Sequence, residues 1–107
     1  MEITDTQLAK VRQIAQTVVE GDMGAVEAAY LLLPILRRFS GLVTQDDLNF
    51  VIAIGSETDD LPLGPVRELW DPNVLIEKDR EIARCDELWK DQFRATCERI
   101  QSRLLPS

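Results

Sequence analysis

Carboxylates are the residues of this chain whose spacing could support chemistry, and three of them fall in one short stretch. The sequence SETDDLPLGP, residues 56 to 65, contains Glu57, Asp59 and Asp60. Closely spaced carboxylates can bind cations or act as general acid and general base. The calcium-loop pattern, with its central glycine and terminal glutamate, is absent. Three interpretations therefore stay open for this stretch: a connector between helices, a surface for a partner, or a site of chemistry.

Other catalytic and metal-binding chemistries are excluded by composition. The 107 residues include no histidine, so serine–histidine and cysteine–histidine nucleophiles and histidine-ligated metal sites are ruled out. The two cysteines, Cys85 and Cys97, do not suffice for a zinc site. In one helix they would lie about 18 Å apart, too far to form a disulfide. We therefore expect no enzyme activity, no cofactor and no metal.

The middle of the chain carries all of the net charge. Residues 40 to 77 hold eight acids and the single base Arg67, a net charge of −7, which equals the formal net charge of the whole chain. Nucleic acid is repelled by such a surface, whereas a protein with a basic surface is attracted to it and meets it faster. The charge distribution thus favours a basic protein as partner and argues against nucleic acid.

The hypothesis that follows is a partner-binding surface in this acidic middle. Its candidate residues are Asp46, Asp47, Glu57, Asp59, Asp60 and Glu68, with Trp70 as an aromatic contact. The alternatives are that the acids only solubilise a connector and that Trp70 covers the core. Arg67 is expected to pair with an acid inside the loop.

Capping patterns divide the first part of the chain into helices. Thr4 with Gln7 has capping-box spacing and opens a first helix, which Gly21 ends. Asp22 is expected to cap a second helix, which runs from about residue 25 to 39 and is apolar on more than one side. Such a helix is expected at the centre of the fold.

A third helix is predicted to begin after Thr44 and to end at Gly55. Its segment VIAI, residues 51 to 54, would also fit a buried strand, but the cap and the lack of a second strand favour a helix. The expected fold class is therefore all-α: a single domain over residues 1 to 107 with four to five helices.

The last helix presents a problem of length. Asp71 and Pro72 form a strong start signal, and no glycine or proline follows up to Leu105. A straight helix of this length, about 50 Å, exceeds the diameter of roughly 34 Å expected for a compact chain of this size. We expect a bend or break, or an exposed crossing, at the charged run EKDRE, residues 77 to 81. The alternative is a projecting helix that packs on a second copy as a homodimer. Four arginines further along are expected to form a solvated face: Arg84, Arg94, Arg99 and Arg103.

Composition is that of a soluble globular protein, with 45% hydrophobic and 29% charged residues. The apolar run from Ala28 to Leu36 contains Pro34 and is shorter than the roughly 20 residues of a membrane span. Met1 is followed by Glu2 and Asp5, which does not fit a secretory signal. A cytoplasmic location is expected.

The segment SETDDLPLGPVRELWDP, followed by KDREIAR, resembles a family of small uncharacterised bacterial proteins of about this length. The resemblance covers about the C-terminal half of the chain. It implies a bacterial source and a stable unit of loop and helix, and it supplies no site residues. Small, acidic, helical architecture is also similar to that of immunity proteins that inhibit basic nucleases, although the tyrosine-rich motif of the colicin type is missing, because Tyr30 is the only tyrosine.

Overall fold

Four α-helices make up most of the computed structural model, which describes residues 3–104. They are α1 (Asp5–Val19), α2 (Ala25–Arg38), α3 (Gln45–Glu57) and α4 (Pro72–Leu104), with short 3₁₀ helices at Ser40–Leu42 and Gly64–Leu69. The described range contains no strand, so the all-α prediction is confirmed, including a helix at VIAI. The predictions that involved Met1, Glu2 and Leu105 lie outside the described residues.

Three helix starts follow the capping patterns of the sequence. Thr4 and Gln7 form the full capping box at the start of α1. The Thr44 hydroxyl accepts a hydrogen bond of 3.1 Å from the Asp47 backbone N–H at the start of α3. Before α4, the Asp71 carboxylate accepts a bond of 2.8 Å from the Asn73 backbone N–H. Each bond satisfies a donor that the helix leaves free, and these predictions are confirmed.

Two predicted helix boundaries are wrong. Asp22 does not cap α2; the N-cap is Gly24, which has no side chain to do so. Instead Asp86, on α4, accepts a bond of 2.8 Å from the Val26 backbone N–H. Gly55 does not end α3, which continues to Glu57.

The predicted break in α4 does not occur. The helix is continuous over 33 residues, and the molecule extends 49 Å along its longest axis, which matches the rise of about 1.5 Å per helical residue. Its fully buried side chains, Phe93, Thr96, Cys97 and Ile100, all lie in the C-terminal half. The charged run 77–81 therefore needs no break, because this part of the helix is only partly covered.

Both α1 and α3 run antiparallel to α4, because residues later in α1 and α3 meet residues earlier in α4. Arg94 of α4 donates a bond of 3.1 Å to the Val19 carbonyl at the end of α1, and the rings of Phe50 in α3 and Phe93 in α4 lie 6.0 Å apart. The second helix is central, as predicted. Apolar side chains from all four helices form the core, among them Val11, Ile14, Ala28, Leu32, Leu36, Val51, Ile54, Phe93 and Ile100.

The arginines of α4 do not form only a solvated face. Arg94 binds the carbonyl at the end of α1, and Arg103 donates to the carbonyls of Gly41 and Leu42 at 3.2 and 3.3 Å. Arg99 pairs with Asp47. These guanidinium groups satisfy carbonyls and a carboxylate on neighbouring elements, since arginine presents several donors in a fixed fork.

Among the helices of residues 3–104, none combines the length and apolar content that a membrane crossing requires.

Candidate functional site

A groove lies between α2, the end of α3 and the segment 58–71, which we call the proline loop. Its volume is about 670 Å³, in the range of ligand and peptide pockets. The lining is mainly apolar and comes from all three elements: Tyr30, Leu33, Pro34, Arg37, Gly55, Thr58, Asp59, Leu61, Leu63, Pro65 and Val66. The stretch SETDDLPLGP thus supplies much of one wall.

The proline loop is held in place at its start by buried side chains. Thr58 is 3% exposed, and its hydroxyl donates a bond of 2.7 Å to the Ile54 carbonyl in the last turn of α3. Leu61 and Pro62 follow as buried residues. Because these residues are anchored, the acids between them, Asp59 and Asp60, are held in a fixed position at the surface.

Arg67 holds the second half of the proline loop in place, but its acidic partner is not the predicted one. Its guanidinium forms two bonds with the carboxylate of Asp79 on α4, of 2.8 and 3.0 Å, and a third of 3.0 Å with the Pro62 carbonyl. The expected partner was an acid inside the loop, whereas the observed acid lies on the next helix. The hydrogen bonds that Arg67 donates to Asp79 raise the pKa of Arg67, and the same bonds lower the pKa of Asp79. The loop is thereby tied to α4.

Tyr30 closes the groove against the loop. Its hydroxyl lies so near Gly64 that a side chain there would begin 2.7 Å from the phenol oxygen, and Gly64 has a φ of +71°, which favours glycine. Tyr30 is nevertheless 44% exposed, and Val66 across the groove is 45% exposed. Exposed aromatic and apolar side chains beside a pocket are typical of protein-binding surfaces.

The predicted acids do not form a single surface. Asp59 lines the groove. Glu57 and Asp60, which are near Asp59 in the sequence, are exposed. Asp46 lies in the first turn of α3, about 16 Å from Glu57 along the helix axis. Glu68 is exposed on the 3₁₀ helix Gly64–Leu69. The structure therefore separates Asp46 from the acids at the groove.

Asp47 has an internal role. It is 5% exposed, and its carboxylate accepts bonds of 2.7, 3.0 and 3.2 Å from the Arg99 guanidinium. The hydrogen bonds from Arg99 hold the pKa of Asp47 below its usual value, against the effect of burial. Because this carboxylate is enclosed and already paired, it is not available to a partner, and we remove it from the candidate surface.

Trp70 lies just beyond the groove. It is half-buried and ends the 3₁₀ helix, where its backbone N–H donates a bond of 3.2 Å to the Arg67 carbonyl. The groove lining does not include it. The neighbouring Leu69 is 85% exposed. Trp70 is thus neither a fully buried lid nor a groove contact.

The wall of the groove that α2 forms was not predicted from the sequence. Tyr30, Leu33, Pro34 and Arg37 are spaced as one helix face, at intervals of three and four residues. The many apolar residues of α2 predict a central helix, but some of these side chains face the groove. The lining contains one cationic side chain, Arg37, and one carboxylate, that of Asp59.

The arrangement offers a binding surface with few groups for catalysis. Asp59 is the single carboxylate in the lining. Within residues 3–104 no cluster of three potential metal ligands occurs. Apolar walls with an acid and a base at the margin instead suit an apolar segment that bears charges.

No protein family, no curated protein and no solved structure matches the chain.

Proposed function

We propose that this protein is a protein-binding module that holds an apolar, lysine- or arginine-bearing segment of a basic partner in the groove. Its biological role would be that of an inhibitor of the immunity or antitoxin type, acting in the cytoplasm of a bacterium. The observation that carries the proposal is the position of unpaired acids beside a preformed apolar groove. The acids and much of one wall of the groove come from the same ten-residue stretch, residues 56 to 65, and the opposite wall comes from α2.

The acids divide into two groups by their use within the fold. Asp47, Asp79 and Asp86 are each engaged by a donor of another element. The side chains of Glu57, Asp59 and Asp60 form no hydrogen bond or ion pair with any residue of the range 3–104. Like charges without partners repel each other and add nothing to folding stability. A basic partner would relieve that repulsion, which supports the proposed role.

The apolar part of the groove supports affinity, and the acids support attraction and orientation. Apolar area removed from water contributes about 25 cal/mol per Å², whereas exposed ion pairs contribute at most about 1 kcal/mol each. Most of the binding free energy is therefore expected from the walls that Tyr30, Leu33 and Val66 provide. The acids are expected to speed association and to make it sensitive to salt.

The test is a selection from a displayed random-peptide library against the full chain. We expect selected peptides to combine apolar residues with lysine or arginine. The dissociation constant of a selected peptide would be measured by calorimetry for the original protein, for Asp59→Asn/Asp60→Asn and for the control Asp46→Asn, at low and high salt.

The double variant is expected to bind about fivefold to tenfold more weakly at low salt and to lose most of its salt dependence, because two charges at the groove are removed. The control is expected to bind as the original protein does, because Asp46 lies at the other end of α3. Acidic or uncharged selected peptides, or equal affinity of the double variant, would contradict the proposal.

A further inference from the structure

The face of α4 that points away from the core carries an ordered set of charges. Positions 77, 80, 84, 87, 91 and 94 recur at intervals of three and four residues and so form one stripe along the helix. All six residues are exposed, and they lie opposite the buried Phe93, Thr96, Cys97 and Ile100. We call them the outer stripe: Glu77, Arg80, Arg84, Glu87, Asp91 and Arg94.

The charges of the outer stripe are antisymmetric about one point. Read from the N-terminal end they are negative, positive, positive, negative, negative and positive. Reversal of the order about the midpoint between Cys85 and Asp86 exchanges every acid for a base. Two copies of α4 packed antiparallel about that midpoint therefore bring opposite charges to the same height at each position of the stripe.

We infer that the partner of the outer stripe is a second copy of this chain, bound antiparallel about a two-fold axis between residues 85 and 86. Arg80 then faces Asp91 of the other copy, and Arg84 faces Glu87. The two-fold repeats both contacts, since an isologous interface uses the same patch twice. The proposal concerns α4 alone and does not depend on the groove, whose lining includes no residue of α4.

Three of the six side chains have partners inside one copy: Arg80 pairs with Glu77, and Arg94 donates to the Val19 carbonyl and lies 3.9 Å from the Glu98 carboxylate. The side chains of Arg84, Glu87 and Asp91 form no hydrogen bond or ion pair within residues 3–104. Arg80 lies 3.3 Å from Glu77, but both side chains are at least 70% exposed, and such pairs contribute little. The acids and bases at the centre of the outer stripe are thus free to pair across an interface.

An exposed apolar side chain lies beside the charges. Leu88 is 73% exposed, the largest exposure among the large apolar side chains described on α4. In the antiparallel arrangement the Leu88 residues of the two copies fall on the same side of the stripe, about 7.5 Å apart along the axis. Their contact would remove from water an apolar surface that the monomer leaves exposed.

The test uses charge reversal and sedimentation equilibrium at physiological ionic strength. The original chain is expected to show a mass that rises with concentration from 12.1 kDa toward twice that value. Arg84→Glu sets the introduced glutamate against Glu87 of the other copy, twice per dimer, and Glu87→Arg places two arginines together twice. Each single variant is therefore expected to self-associate at least about tenfold more weakly.

Mixing the two single variants separates this account from a structural defect. In the mixed pair, each glutamate of one copy meets an arginine of the other, so a heterodimer is expected at the affinity of the original chain. The double variant Arg84→Glu/Glu87→Arg is also expected to self-associate. The proposal is overturned if the original chain stays at 12.1 kDa at its highest concentration, if the single variants associate normally, or if their mixture does not.

Discussion

The carboxylate of Asp86, on α4, caps the first turn of α2 by accepting a hydrogen bond of 2.8 Å from the Val26 backbone N–H. Gly24 precedes this turn, and a Cβ atom there would overlap the Asp86 carboxylate. Burial raises the pKa of Asp86, and the bond from Val26 lowers it. The start of α2 is thus defined by a residue 60 positions away in the sequence, which local patterns do not identify.

This contact predicts coupling between positions 24 and 86. Asp86→Ala is expected to lower the free energy of unfolding by about 1 kcal/mol, because the cap is lost. Gly24→Ala is expected to lower it by about 1 to 3 kcal/mol, because the added methyl displaces the carboxylate. In the Asp86→Ala background the cost of Gly24→Ala should be smaller by at least about 1 kcal/mol. Urea unfolding of the four proteins measures this, and strictly additive effects would contradict it.

The pair formed by the buried Asp47 and the exposed Arg99 predicts a loss of stability in acid. Since the pKa of Asp47 is lowered below 3.8 in the folded protein, its contribution is fully present above pH 3.8 and is lost as pH falls through the folded pKa. Asp47→Asn should lower the free energy of unfolding by about 2 kcal/mol at pH 7 and by less in acid.

The matched control is Asp46→Asn, which changes the exposed neighbour and should leave the free energy of unfolding within about 0.5 kcal/mol at pH 7. The measurement is urea unfolding from neutral pH into acid below pH 3.8, where the contribution of Asp47 is expected to decline. An Asp47→Asn protein that declines in acid as steeply as the original chain would show that this pair does not contribute.

The two cysteines are expected to differ in reactivity. Cys97 is completely buried, and burial raises its pKa to about 12; Cys85 is only partly buried. The thiolate is the reactive form, so a thiol reagent should label Cys85 in the folded protein and Cys97 only as the chain unfolds. The Cys85→Ser protein should then show no labelling by mass spectrometry without denaturant, and rapid labelling there would contradict the burial of Cys97.

The groove predicts a selective effect of Val66. Its side chain lines the groove and is 45% exposed, whereas Val74 on α4 is 42% exposed and lies outside the lining. Val66→Ser should weaken binding of a selected peptide about fivefold, because it removes an apolar contact. Val74→Ser is the matched control and should leave affinity unchanged. Equal effects of the two substitutions would place the peptide elsewhere.

Local signals predicted the helices well because they act within one turn. The bonds at Thr4, Thr44 and Asp71 join residues two or three positions apart, so the sequence alone identifies donor and acceptor. The helix ends predicted at Gly21 and after residue 39 agree with the structure, whereas the end predicted at Gly55 does not. Gly55 resembles a helix end in the sequence, but in the structure it allows α3 to approach Leu33 of α2, since a Cβ there would lie 2.8 Å from a Leu33 methyl group.

The candidate site was only half predictable. The stretch SETDDLPLGP was identified from its acids and prolines, and it does form one wall of the groove. The opposite wall, with Tyr30 and Arg37, depends on how α2 packs, which charge and spacing do not determine. The sequence places Asp47 among the acids of the charged middle of the chain; only the approach of Arg99, from 52 residues further along, reveals its internal role.

The most direct test of the central claim is to locate the bound peptide by NMR. A peptide selected for binding would be titrated into ¹⁵N-labelled protein, and shifts of the backbone amides would be mapped. We predict the largest shifts at residues of the groove, including Tyr30, Gly55, Asp59 and Val66, with smaller shifts in the Asp59→Asn/Asp60→Asn protein at the same peptide concentration. Shifts confined to α1 or to the C-terminal half of α4 would contradict the proposal that the groove is the binding site.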